Sequence, residues 1–297
     1  MKHWVKAFRL RTLPLALASI GMGAFLAASA GKFNCGVFAL CALTTILLQV
    51  LSNLANDYGD SVHGADGARR TGPSRAVQSG VISLKAMRNA IILFSALSLL
   101  SGIGLIYLAF GWSPQVFGFF LGLGVLAILA AITYTAGYKP YGYMGLGDIS
   151  VLIFFGFVGV MGSAYLYEQA LKWEYLLPAI STGLFSVGVL NVNNIRDIDS
   201  DKEAGKISIP VRIGRTKAVV YHWFLLGTGF ALGLTYVLMN YTSYWQLIIV
   251  LALPGLIKNA KAVKQHTESS KLDPFLKQMA LTTLLYVVLF GVGQLIA

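Results

Sequence analysis

Apolar runs close to the ~20 residues that an α-helix needs to cross a bilayer recur from one end of this chain to the other. About nine can be drawn, over 12–30, 36–56, 86–110, 115–136, 148–167, 174–195, 218–238, 243–260 and 276–296. Hydrocarbon offers a peptide group no hydrogen-bond partner, so runs of this length should be helices. Only 12% of the residues are charged, against roughly 25% in a soluble domain. The expected fold is all-α: a polytopic membrane protein, one domain over 1–297, with about nine transmembrane helices.

Lysine and arginine give the orientation. They crowd into the N-terminal arm (Lys2, Lys6, Arg9, Arg11) and the loops after the second, fourth, sixth and eighth helices. Of the 23 basic residues, only Lys32 and Lys172 fall on the other side. The positive-inside rule puts the crowded side, and the N-terminus with it, in the cytoplasm. The net charge of +11 therefore follows topology and forms no continuous basic domain, which argues against nucleic acid as a partner and for the lipid bilayer. Lys2 to Arg11, then Leu13–Leu26 and Ala28-Ser29-Ala30, imitate a secretory signal peptide with its cleavage site. Eight further spans favour a retained first helix. Cys35 and Cys41 have no metal-ligand spacing and are expected to be packing residues.

Two acidic stretches stand where apolar segments meet the basic loops. The first reads Asn53-Leu-Ala-Asn56-Asp57-Tyr-Gly-Asp60, trailing to Asp66; the second reads Asn193-Asn194-Ile-Arg196-Asp197-Ile-Asp199-Ser-Asp201. Carboxylates at a membrane boundary are costly unless paired or bound to a cation. Asn53, Asn56 and Asp60 are spaced as one helical stripe, as are Asn193, Asp197 and Asp201. Asp57 lies about 100° round from the first stripe, and Asp199 is off the second. The clusters follow the second and sixth helices, and Gly80-Val-Ile-Ser83 echoes Gly205-Lys-Ile-Ser208. That recurrence hints at a duplicated four-helix unit, which would bring the clusters face to face across a central cavity opening to the cytoplasm.

Amide and carboxylate oxygens alone suit Mg²⁺, with Mn²⁺ as a substitute; the candidate ligands are Asn56, Asp57, Asp60, Asn193, Asp197 and Asp201. Solvated surface carboxylates are the bland alternative, and matched spacing at equivalent helix ends argues against it. An EF-hand fails because Lys202 stands at the glycine position and Ser208 at that of the bidentate glutamate. Arg70, Arg75, Lys139, Arg196 and Lys206 surround the clusters and are the candidates for binding a diphosphate, although each alone also serves as a topology signal.

At these residues the sequence resembles the UbiA-type intramembrane prenyltransferases, whose hallmark is a pair of Asn/Asp-rich motifs on helices 2 and 6. The resemblance covers essentially the whole chain. Gly72-Pro-Ser-Arg-Ala-Val-Gln-Ser-Gly80, Tyr134-Thr-Ala-Gly, Gly145-Leu-Gly-Asp148 and Asn193-Asn-Ile-Arg-Asp197 resemble the branch acting on 1,4-dihydroxy-2-naphthoate in menaquinone synthesis. There are departures: the first motif's usual third acid is Gly64 here, and the second opens with Asn193 rather than Asp. Both leave a usual acid of each motif replaced by a residue without a carboxylate.

The resemblance implies Mg²⁺-assisted transfer of a polyprenyl group from polyprenyl diphosphate to dihydroxynaphthoate in the cell's inner membrane, with decarboxylation. Asp60, Asp148 and Asp197 are the carboxylates open to a catalytic role. Tyr134, Tyr138 and Phe154 are candidates for shielding an allylic cation, with Asn53 and Gln78 on the acceptor or prenyl side; any one aromatic is more readily a packing residue, since aromatics are common in membrane helices. Transfer to 4-hydroxybenzoate, homogentisate or haem is the nearest alternative. A secondary transporter would hold its acids near the midplane rather than at helix ends. The Asp-Gly-x-x-Ala-Arg pattern of the CDP-alcohol phosphotransferases is absent from the sequence.

Overall fold

The computed structural model describes residues 2–64 and 75–297. Among them, nine helices are long and apolar enough to cross a membrane: α1 (Lys2–Ser29), α2 (Cys35–Val62), α3 (Leu84–Phe110), α4 (Pro114–Thr133), α5 (Gly147–Glu168), α6 (Trp173–Arg196), α7 (Ile209–Met239), α8 (Tyr244–Gln265) and α9 (Ser269–Leu295). The described residues contain no strand. The protein is an all-α, multi-pass membrane protein.

Local chemistry starts these helices. Asn34 accepts from the Val37 amide at 3.1 Å and Ser83 from the Ala86 amide at 3.2 Å, each satisfying an orphan first-turn donor. Ser243 and Gln246 form a reciprocal capping box. Prolines stand in the first turns of α4 and α7, where a missing amide hydrogen costs nothing.

Two helices overrun the apolar runs. α2 continues to Val62 rather than stopping at 56, and α7 begins at Ile209 rather than 218. Hydropathy marks only the lipid-crossing part, whereas the polar turn at the end of α2 continues the helix because its side chains find partners inside the protein. α6 does the opposite. It stops at Arg196, Asp197 leaves helical geometry (φ −101°, ψ 12°), and a separate short helix, Ile198–Glu203, follows. The expectation of one straight stripe from Asn193 to Asp201 is corrected accordingly.

Three irregularities shape the interior. α1 is broken at Arg9, a non-glycine residue in left-handed geometry (φ 48°, ψ 54°), after which the chain turns through Leu10–Thr12. The middle of α5, Leu152–Gly162, is π-helical, a widened geometry that is uncommon outside functional segments. α7 is kinked at Gly214. Gly80 and Gly205 both adopt left-handed geometry three residues before Ser83 and Ser208, the extended N-cap residues of α3 and α7.

α6 packs against α5, α7 and α9, and α9 in turn against α1 and α8. Met22, Leu26, Phe185, Tyr286 and Phe290 centre this core. A side chain at Gly156 would come within 2.8 Å of the Ala179 carbonyl, so α5 and α6 approach as closely as small residues allow. α3 packs on α2 and α4, and no residue of α4 is buried. Cys41 is buried beside Ile20 and Leu105 as a packing residue, but Cys35 is exposed at the start of α2, so the packing expectation is corrected there.

Candidate active site

The polar end of α2 and that of α6 line a single cavity of ≈ 480 Å³, together with the N-terminal arm and part of α9. Asn56, Asp57, Asp60, Arg75, Asn193, Asn194, Arg196 and Lys206 all contribute to its wall. The two sequence clusters are therefore brought together across one space.

Asp60 is buried and held from two sides. Tyr143 donates to its Oδ1 at 2.8 Å, and Arg75 forms an ion pair with its Oδ2. The Lys206 ammonium also lies within electrostatic reach. Arg75 Nη1 donates in addition to the Asn56 carbonyl at 2.6 Å. The Asn56 side-chain oxygen accepts from Thr135 at 3.1 Å. Gly59 makes this approach possible, because a Cβ there would collide with the Thr135 carbonyl.

Tyr143 lies on the short turn Tyr141–Met144, and the Ile207 amide donates to its carbonyl at 2.8 Å. One loop thus touches the first cluster and the segment that follows the second. Burial, then the adjacent Asp60 carboxylate, push the Tyr143 hydroxyl well above its usual range, so it remains a proton-bearing donor.

Other site expectations are redirected. Asp57 lines the cavity, but its carboxylate accepts from the Ala76 and Val77 amides at 3.1 and 3.5 Å and so anchors the turn after Arg75. Asn53 lines the apolar cavity between α2, α3, α4 and α5, and it also donates to the Phe8 carbonyl at 2.9 Å and to Thr12 at 3.0 Å, fastening the broken part of α1. Arg196 was expected to face phosphate. It lines the polar cavity, and its guanidinium also grips Asp197 with two 2.7 Å hydrogen bonds and reaches Asn193 and Asp273.

Asp197 and Asp201 sit behind basic side chains that front the cavity. Lys206 covers Asp201 at 3.1 Å. Burial pushes the Asp201 carboxyl up to about 6, against the opposing pull of Lys206. Asp148 accepts from Tyr221 at 2.8 Å and is not part of either cavity wall described here, which separates it from Asp60. Asp199 is exposed, off the site.

Lys139 and Tyr138 are corrected outright. Tyr138 is 93% exposed, with the Lys139 ammonium 5.7 Å above its ring, on the connection between α4 and α5, and neither residue lines the polar or the apolar cavity. Gln78 is likewise exposed, on the turn after Arg75. Arg70 and Asp66 lie outside the described residues.

A second cavity of ≈ 390 Å³ is predominantly apolar and runs between α2, α3, α4 and α5. Phe154, Phe155, Val158 and Gly159 line it from the π-helical stretch. Gln49, Asn56, Tyr134, Phe155 and Leu190 belong to both walls. A polar chamber and a hydrocarbon slot therefore meet at Tyr134.

Among the described residues, no three Asp, Glu, His or Cys side chains converge as a ready-made metal cage. The reason is visible: Asp60, Asp197 and Asp201 each face a cation. The donor set nevertheless fits a hard divalent ion. It is all oxygen, and the buried Asn194 Oδ1 has no hydrogen-bond partner among the described residues. Substrate phosphate would supply the remaining ligands, as Mg²⁺ sites commonly arrange.

Comparison with known proteins agrees in extent. The UbiA prenyltransferase family matches residues 16–285. The chain is 48% identical to a 1,4-dihydroxy-2-naphthoate octaprenyltransferase of Haemophilus influenzae, over 100% of this chain and 96% of that one. It is 44% identical to the Escherichia coli protein of the same name, over 98% and 94%. Its fold matches a UbiA homolog from Archaeoglobus fulgidus bound to GPP and Mg²⁺, with a TM-score of 0.66 at 17% identity, covering 98% of this chain and 100% of that one.

Proposed function

The chain belongs to the UbiA prenyltransferase family, and from that membership we propose that it prenylates 1,4-dihydroxy-2-naphthoate in menaquinone biosynthesis. The observation that carries this reading is the junction of the two cavities. A diphosphate needs cations and a polyprenyl tail needs hydrocarbon, and the two chambers meet at Gln49, Asn56 and Tyr134. Relatives that the chain matches over nearly their whole length are named for this acceptor and an octaprenyl donor.

In this reading Arg75 and Lys206 bind the diphosphate, one by a planar fork and one as a point charge. A divalent ion, Mg²⁺ or Mn²⁺, held by Asn56, Asp60, Asn193, Asn194 and the Asp197–Asp201 pair, would neutralise charge developing on the leaving group. Tyr143 and Arg75 keep Asp60 oriented toward that charge. The allylic C–O bond breaks and diphosphate departs with the electron pair. The ring carbon bearing the carboxylate forms the new C–C bond, facing Tyr134 and Phe154, whose π faces favour a cation.

Carbon dioxide then leaves, its bonding pair restoring the ring and giving the quinol form of a demethylmenaquinone. No ring proton has to be removed, so the step needs no carboxylate base at the ring. Of the three carboxylates open to a catalytic role, Asp60 alone belongs to the polar cavity wall, and we assign it to leaving-group stabilisation. Orientation follows charge: the N-terminus and the site face the cytoplasm of a cell's inner membrane. The whole of 1–297 acts as one domain, with α2 and α6 as counterparts in a repeated unit.

Carboxyl-labelled 1,4-dihydroxy-2-naphthoate should release labelled CO₂ in step with prenylated product, and only when a prenyl diphosphate is present. Label retained in the product would exclude this chemistry. Preference for 4-hydroxybenzoate in the same assay would move the acceptor to the nearest alternative.

A further inference from the structure

Asp273, near the start of α9, belongs to neither acidic motif, yet it takes part in a charge group at the site that joins Arg11, Arg196 and Asp197. Its Oδ1 accepts from Arg196 Nη1 at 2.7 Å, and its Oδ2 from Arg11 Nη1 at 2.9 Å. Arg196, whose side chain is 2% exposed, also grips Asp197 through Nε and Nη2, both at 2.7 Å, and Asn193 at 2.9 Å. One guanidinium therefore serves two carboxylates. Arg11, Arg196 and Lys277, one turn beyond Asp273, all line the polar cavity.

A bidentate arginine on a buried carboxylate satisfies both oxygens and neutralises the charge. An uncompensated Arg196 would also repel a divalent ion in the adjoining cavity. A second carboxylate, taken up by the remaining Nη1, offsets the charge of the same guanidinium while the bidentate pair stays intact, and Coulomb coupling at this range is strong where water is excluded. Arg11 then balances Asp273 from the side of the N-terminal arm, so that the four-residue group is neutral.

We propose that Asp273 is a positioning residue for metal-diphosphate binding: by sharing Arg196 it offsets the positive charge that this guanidinium presents at the cavity wall, and through Arg11 it ties the N-terminal arm to the second motif. The proposal rests on the metal-dependent reading of the site.

Mn²⁺ binding by electron paramagnetic resonance, with detergent-solubilised protein and geranyl thiolodiphosphate as an unreactive donor, tests it without turnover. Asp273→Asn keeps an acceptor oxygen for Arg196 and removes one negative charge. It should weaken Mn²⁺ binding roughly tenfold, with thermal unfolding close to that of the unaltered protein. Asp273→Glu should recover most of the affinity.

Arg11→Gln tests the coupling from the opposite side. It removes one positive charge from the same group, leaves the Asp273 charge to offset Arg196 alone, and should tighten Mn²⁺ binding; it also decides the question if Asp273→Asn fails to insert. Unchanged Mn²⁺ binding in Asp273→Asn, or equal loss in Asn and Glu variants together with a lower unfolding temperature, would overturn the assignment. No Mn²⁺ binding by the unaltered protein would instead remove the metal-dependent reading beneath it.

Discussion

The Tyr143 hydroxyl donates to Asp60 Oδ1 at 2.8 Å across 83 residues of sequence. That single contact sets the loop between α4 and α5 against the first acidic motif. The backbone of the same residue receives the Ile207 amide from the loop before α7. Tyr143→Phe keeps the ring and removes the donor. A hydrogen bond to a charged group contributes about 1.5–3 kcal/mol, so turnover should fall about tenfold to a hundredfold while the protein still inserts. Steady-state kinetics on purified protein give the answer, and unaltered turnover would detach Tyr143 from the chemistry.

The acidic residues should separate by position. Asp60→Asn and Asp201→Asn should each lower turnover by about two orders of magnitude or more, because Asp60 lines the polar cavity and Asp201 holds Lys206 at its wall. Asp199→Asn should stay within about twofold, since an exposed carboxylate off the site contributes little. Equal losses at Asp199 and Asp201 would contradict the geometry.

Metal removal is the third test. EDTA should abolish prenyl transfer, and Mg²⁺ or Mn²⁺ should restore it while thiol-seeking ions do not, because the donors are all oxygen. Full turnover in metal-free buffer would defeat the proposed leaving-group chemistry.

Asp201 gives stability and activity opposite pH dependences. Its carboxyl is raised by burial from 3.8 to about 6, so the folded protein favours the neutral form. The stabilising contribution of that neutral form is fully present below the unfolded value and is lost as pH rises through about 6. Metal-dependent activity needs the charged form and should decline as pH falls below about 6. Thermal unfolding of metal-free protein and initial rates, both scanned over this window, should therefore trend in opposite directions; parallel trends would assign the titration elsewhere.

Gly59→Ala probes the approach of α2 to the loop after α4. The added methyl meets the Thr135 carbonyl, and overpacking of this kind costs about 1–3 kcal/mol. Lower thermal stability and weaker diphosphate binding should appear together, since Thr135 also holds the Asn56 side chain.

Helix number, the meeting of α2 with α6, and Asn56, Asp60, Arg75 and Lys206 at the cavity were all legible, because apolar length and acid spacing are local signals. What was hidden depends on contacts distant in sequence. Tyr143, Asp273 and the capture of Arg196 by its own neighbour Asp197 carry no periodic signature. Lys139 and Tyr138 misled for a related reason: a basic-aromatic pair beside a motif reads the same whether its loop folds inward or out into solvent. Asp57 and Asn53 show a third case, since an amide or carboxylate on a motif helix serves equally to anchor a neighbouring segment.

The shared wall at Asn56, Tyr134 and Phe155 also bears on how the enzyme meets its donor. A substrate whose head sits in one chamber and whose tail sits in the other need never leave the lipid phase. Its encounter rate is then governed by lateral diffusion and by mole fraction in the membrane. Diluting long-chain donor with inert lipid at constant bulk concentration should slow initial rates, whereas diluting the whole suspension should change the rate per enzyme little. The water-borne acceptor should follow ordinary bulk concentration.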